Sequence, residues 1–162
     1  MAEQFIKFSG PNVDGESQQK GFEKWIEISN FSLSSSTPGS TALGGGSGVG
    51  KPVMHGASFG TVAGRHTPLL NKNYFEGKHF EQVEVKYAKQ TGAPQAEVYY
   101  HLTMKHVFIT SMGNSKGEGS LGFETITLTA EEYKQEYFAQ GSDGALASVG
   151  STTYNEKTGV SS

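Results

Sequence analysis

Val83-Glu84-Val85-Lys86-Tyr87 carries apolar side chains at every second position with charges between them, the signature of a strand with one buried face. Strand signals continue downstream. The turn Thr91-Gly92-Ala93-Pro94-Gln95 leads into Val98-Tyr99-Tyr100-His101-Leu102, and the run continues through Val107, Phe108 and Ile109, long enough to bend or cross between sheets. Beyond the glycine-rich turn at 113–119, two more strands are predicted. One covers 123–129, with Ile126 and Leu128 on one face; the other covers 132–138, with Tyr133 and Tyr137. From Ala139 the tail is polar and small-residue-rich, with Tyr154 its one large anchor.

Upstream, residues 4–8 form a short apolar strand ending at a turn whose Asp14-Gly15 pair suits left-handed geometry. Residues 24–33 are predicted as a second strand, with Trp25, Ile26, Ile28, Phe31 and Leu33 as its apolar members; Val53, His55, Ala57 and Phe59 alternate as a third. Only one helix is indicated. Thr67 can cap it, Pro68 fits its first position, Leu70 and Tyr74 stack at i,i+4, and Gly77 ends it. About seven closely spaced strands with one short helix predict an all-β chain, a two-sheet sandwich or closed barrel, in one domain over residues 1–162.

Composition agrees. The chain holds 22 glycines and 5 prolines, suited to many turns. Its net charge of −3 and scattered lysines leave no basic stripe for nucleic acid. The absence of cysteine removes disulfides, thiol catalysis and thiolate metal sites. No signal-peptide pattern and no long apolar run occur, so neither signal-dependent export nor membrane insertion is expected.

Several motifs suggest chemistry and fail on context. Gly45-Gly46-Ser47-Gly48-Val49-Gly50-Lys51 has phosphate-loop spacing, but Pro52 stands where Ser or Thr must hold magnesium, and no helix follows. Gly56-Ala57-Ser58-Phe59-Gly60 matches a hydrolase elbow without the strand-to-helix turn that exposes the serine. His55, His66, His79, His101 and His106 form no ligand pair at helical spacing. Glu81, Glu84, Glu131, Glu132 and Glu136 lie among lysines, as cross-strand charge pairs do. No catalytic group, cofactor or metal site is expected.

Taken in order, the segments resemble the Hcp (haemolysin-coregulated protein) family of type VI secretion tube proteins. Phe5-Ile6-Lys7 followed by Val13-Asp14-Gly15-Glu16-Ser17 is similar to that family's start, and the glycine-rich loop closed by Gly50-Lys51 to its long loop. Thr67-Pro68-Leu69-Leu70 and Gly77-Lys78-His79-Phe80 resemble the entry and exit of its single helix. Glu124-Thr125-Ile126-Thr127-Leu128 and Tyr133-Lys134-Gln135-Glu136-Tyr137 resemble its closing strands. One departure stands at the end, where a Gly-Trp pair is common in the family and here Gly150 is separated from Tyr154-Asn155.

The resemblance implies a two-sheet β-barrel with one helix, assembled as a hexameric ring. Rings stack into a tube inside a contractile sheath beneath a spike protein, and some members hold small effector proteins in the lumen. Such a subunit is cytoplasmic before firing and is then expelled without a signal peptide. A ring needs one patch to meet a different patch on the next copy; the Val83-Val85-Tyr87 and Tyr133-Tyr137 faces are candidates. The loop from Ser34 to Gly50 holds six glycines within 39–50 and cannot bury area. Loops of this length usually have a function, here expected to be ring stacking through Thr37, Leu43, Gly44, Gly45, Gly46, Ser47, Val49 and Lys51. Ser32 and Ser34, alternating with Phe31 and Leu33, are candidates to face the lumen. Rival readings are a phage tail tube protein, a monomeric barrel binding a small apolar ligand near Trp25, Phe31 and Tyr99, and a hydrolase using Ser58.

Overall fold

The computed structural model describes residues 3–37, 39–40, 48–49 and 51–162. Strands β1 (Gln4–Ser9), β2 (Ile26–Glu27), β3 (Asn30–Ser36), β4 (Gly39–Ser40), β5 (Gly48–Val49) and β6 (Val53–Val62) precede the helix α1 (Thr67–Glu76). After it come β7 (Phe80–Lys89), β8 (Glu97–Ser115), β9 (Phe123–Gln140), β10 (Leu146–Asn155) and β11 (Val160–Ser161). The main sheet runs β11-β10-β9-β8-β7-β1-β2, and a second arm, β6 with β3 beyond it, branches from β9. All these pairings are antiparallel.

The branch exists because β9 changes neighbours along its length. Residues 123–128 pair with β6, and residues 132–140 pair with β10. β8 accompanies β9 from Tyr100 to Ser115 and so belongs to both arms. The two strands predicted at 123–129 and 132–138 are thus one strand of 18 residues. They look like two because the buried face changes phase: Ile126, Leu128 and Ala130 are buried at even positions, Tyr133 at an odd one.

The same change occurs on neighbouring strands. Met104 and Val107 are buried on β8, and Phe80 and Val83 on β7, in each case three residues apart rather than two. Their registers align, Phe80 with Val107 and Val107 with Ala130, Val83 with Met104 and Met104 with Tyr133. Three strands therefore bend along one line. On β8 the bend passes through His106, which adopts φ 55, a left-handed conformation uncommon outside glycine.

The predicted strand 24–33 is interrupted. Lys24 has φ 67, and the chain leaves β2 at Ile28-Ser29. The Ile28 N–H donates to Gln4 O at 3.0 Å and the Ser29 N–H to Gly60 O at 2.8 Å, so the segment passes from the β1 arm to the β6 arm. Part of the predicted loop is also strand: β3 extends to Ser36, and β4 pairs with β5. The tail is a strand as well, paired with β9 from Leu146↔Gln140 to Asn155↔Glu132. A sheet edge can grow by backbone hydrogen bonds alone, so small polar residues suffice.

The main core gathers Ile6, Phe8, Phe59, Leu70, Phe80 and Leu102 with their neighbours between the arms and α1. A smaller cluster of Phe5, Phe22, Trp25 and Ala88 covers the other side of the main sheet. In it Phe5 and Phe22 stack at 4.2 Å and the Lys86 ammonium lies 4.9 Å from the Trp25 ring. α1 ends as predicted: Gly77 has φ 67, and Lys78 N–H donates to Asn73 O at 3.0 Å.

Where β3 and β6 shift register between Ser34 and Ser35, Gly56 has φ +88 and packs directly on β9. A Cβ there would lie 2.2 Å from the Leu128 carbonyl oxygen. Gly56→Ala is expected to cost about 2 kcal/mol or more through strain and clash together. Urea unfolding checks this, and an unchanged midpoint would contradict the packing described.

Candidate functional site

Two kinds of surface could carry function, one made by strand edges and one by a buried polar cluster beside α1. The edge surface begins at β10 and β11, which extend the sheet beyond β9. Most of β10 is exposed, and Val149 and Val160 are 64% and 61% exposed. Tyr154 anchors this extension by donating from its hydroxyl to Pro52 O at 2.8 Å. The position that departs from the family's Gly-Trp pattern is therefore tied to the main fold by an aromatic hydroxyl. On the helix, Phe75 is 77% exposed.

The faces proposed for ring contacts are largely inside. Val83, Val85 and Tyr133 are buried in the core, because the arms fold over them. Only Tyr87 and Tyr137 reach the surface, within an aromatic group formed where β7 and β8 shift register at Tyr87. The extra residue places Tyr99 beside Tyr100: Tyr87 stacks on Tyr100 at 4.5 Å and contacts Tyr99 at 6.0 Å and Phe31 at 6.2 Å. Trp25 belongs to the separate outer cluster, so Trp25, Phe31 and Tyr99 do not converge on one ligand pocket.

Of the predicted stacking residues, Thr37 and Lys51 are exposed. The Val49 backbone pairs with Gly39. Leu43, Gly44, Gly45, Gly46 and Ser47 lie outside the described residues. Ser32 and Ser34 are exposed on β3, while Phe31 and Leu33 are half-buried and pack against the core. Ser58 sits within β6, paired to Ser32 on one side and Thr127 on the other, so no nucleophile elbow exists there. Of the five carboxylates, Glu84 pairs across strands with His101 at 3.1 Å and Glu132 with Lys105 at 3.7 Å; Glu131 meets Lys157 of a turn at 3.6 Å, and Glu136 accepts from the Ser148 hydroxyl at 2.9 Å. The His101 hydrogen bond holds the Glu84 carboxyl below its ordinary range. Among the described residues no group of three or more metal-ligating side chains occurs.

The buried polar cluster was not anticipated. His66 precedes the first residue of α1, makes no capping hydrogen bond with its side chain and is 3% exposed; Glu124, at the start of β9, is 1% exposed. The His66 Nε2 lies 3.7 Å from Glu124 Oε1. The Thr67 hydroxyl donates to that same carboxyl oxygen and accepts from Gly64 N–H at 3.1 Å. Thr67 therefore ties the helix to β9 instead of capping it. Glu124 Oε2 and His66 Nε2 have no hydrogen-bond partner among the described residues. On the solvent side, Glu16 accepts from Arg65 N–H at 3.3 Å, beside a cleft of about 510 Å³ lined by Glu16, Glu27, Ile28, Thr61, Val62 and His66. One signal was available in the sequence: Glu124 shares the phase of Ile126 and Leu128, the buried face.

These features define a mostly-β protein with, among the described residues, one flanking helix, a branched sheet and an exposed sheet extension. The sequence profile of the family described as "Type VI secretion system effector, Hcp" matches residues 5–137, and the chain belongs to this family. Among solved structures, Hcp1 from Salmonella typhimurium is 25% identical with a TM-score of 0.76, covering 98% of this chain and 97% of that one. A chain described as a type six secretion system protein is 23% identical with a TM-score of 0.89 over 100% of both chains. A type VI secretion system effector from Yersinia pestis is 18% identical with a TM-score of 0.71, covering 94% of this chain and 99% of that one. No curated protein sequence matches the chain.

Burial raises the Tyr87 hydroxyl to about 12, with Tyr100 and Tyr99 adding to the effect. Folding therefore favours the neutral phenol, and the unfolded chain loses its proton first. That contribution to stability is intact below about pH 10 and declines as pH rises from there toward 12. Spectrophotometric titration should show a phenol ionising near pH 12 that disappears in Tyr87→Phe; an unchanged titration in the variant would contradict the assignment.

Proposed function

We propose that this chain is the structural subunit of a type VI secretion tube. In this reading residues 1–162 are one domain, and the two arms close into a barrel around the shared core. Six copies form a ring, and rings stack into a tube within a contractile sheath, with a spike protein at the tip. The subunit waits in the cytoplasm and is expelled when the sheath contracts; small effector proteins ride in the lumen. No catalytic step is involved.

Family membership carries the reading, and the exposed sheet extension supports it. A ring needs a patch on one copy that meets a different patch on the next. Val149 and Val160 on β10 and β11 supply apolar area at an open edge, which soluble proteins usually cover or charge. Tyr137 at 47% exposure is further material. The loop residues Thr37, Leu43, Gly44, Gly45, Gly46, Ser47, Val49 and Lys51 are proposed for contacts between rings. Leu43 and Val49 are its apolar anchors, and few anchors make weak contacts that order on assembly. Ser32 and Ser34 are proposed to face the lumen.

Light scattering on a sizing column, with negative-stain images, tests the ring. Six copies of 17.3 kDa correspond to about 104 kDa and ring-shaped particles; a monomer at high concentration would refute the reading. Val149→Asp with Val160→Asp is expected to lower that mass while leaving the fold intact by circular dichroism. Deleting residues 40–47 should leave the ring mass unchanged and abolish tubes and secretion. Normal tubes from that deletion would remove the loop from the stacking role.

A further inference from the structure

The junction between β6, α1 and β9 contains a titratable group that the tube role does not use. His66 is nearly inaccessible and makes no hydrogen bond through Nε2. Its surroundings are polar but not neutralising. Glu124 faces it from β9 at 3.7 Å, and Glu16 approaches from the segment after β1. Glu27 lines the same cleft from β2, Lys116 lines a hollow on the Glu124 side, and the Arg65 side chain is exposed. Among the described residues no element contributes a second hydrogen bond to the carboxyl: Thr67 holds one oxygen and the other has no partner.

The connections made here are few and specific. Thr67 joins the first turn of α1 to β9, Leu70 buries its side chain beneath, and Leu70 N–H donates to His66 O at 2.9 Å. Lys78 N–H to Asn73 O closes the far end. The start of α1 is thus attached through groups that share one buried polar pocket, and the chain before it through Ala63 N–H, which donates to Gly122 O at 2.9 Å. When that pocket opens, His66 reaches water and takes up a proton at its ordinary range of about 6.5.

We propose that His66 and Glu124 form an acid-released latch, in which protonation of the exposed His66 favours detachment of residues 63–70 from the start of β9. Burial lowers the His66 affinity for a proton, and the carboxyls of Glu124 and Glu16 oppose that effect without overcoming it. The direction follows from linkage. A histidine with a lowered folded value is held neutral in the closed state, so the closed state is fully favoured above about pH 6.5 and loses its advantage as pH falls below it. If the ring reading also holds, the latch governs a segment that presents Leu69 to the surface.

Hydrogen exchange followed by mass spectrometry on the full-length protein, corrected for intrinsic rates, tests this. Between about pH 7.5 and about pH 5.5 the opening of residues 63–70 should increase by up to about tenfold, the limit for one histidine at its ordinary value. His66→Asn should show no such increase. Glu124→Gln keeps an oxygen for Thr67 and removes the charge that favours imidazolium, so it should retain the increase. Equal corrected exchange at both pH values in the wild type, or an undiminished increase in His66→Asn, would overturn the proposal. In the wild type, nuclear magnetic resonance titration of the His66 ring should give a midpoint below about 6.5; a midpoint at or above that value would also overturn it. The mass of each sample, measured alongside, separates this result from the ring question. A monomer with a working latch refutes only the ring, and a ring without one refutes only the latch.

Discussion

The fold depends on a change of phase in the buried face that three adjacent strands make together. A strand presents alternate residues to one side, and a slip of one residue exchanges its faces. Here Phe80 and Val83, Met104 and Val107, and Ala130 and Tyr133 carry the slip in register across β7, β8 and β9. A slip on one strand alone would bury charge, because Glu81, Lys105 and Glu132 stand within these intervals. Made jointly, it bends the sheet while keeping apolar side chains inside. The left-handed His106 is the local cost of that bend.

From this bend follow the shared core and the free edge. β8 and β9 are long enough to serve both arms, so β9 pairs with β6 at one end and β10 at the other. The β10–β11 extension stands outside the core, which explains its small, polar sequence and its exposed valines. Of the apolar strand faces suggested by alternation alone, Val83, Val85 and Tyr133 are taken into the core, while Tyr137 stays exposed.

α1 is the only helix among the described residues, and its attachment is polar as well as apolar. Its first turn contains no acidic residue; Glu124 of β9 supplies a carboxyl there from a different element. An acidic group near a helix start complements the partial positive charge of the exposed amides. The cluster therefore joins helix and sheet through charge and hydrogen bonding, while Leu70 joins them through burial.

Local pattern was enough for the strand character, the helix and its Gly77 stop, and the reading of Ser58 as a strand residue. Each depends on a few consecutive residues, such as Val83-Glu84-Val85 or Thr67-Pro68. The family was also legible, through the order of short motifs from Phe5 to Tyr137. Tertiary structure decided what these elements share. It joined 123–129 to 132–138 as one bent strand, made a strand of the tail, and buried Val83 and Val85. It also brought His66, Thr67 and Glu124 together across 57 positions of sequence. Alternation reports which side a residue faces, but not what lies on that side; only the folding of one arm over the other determines that.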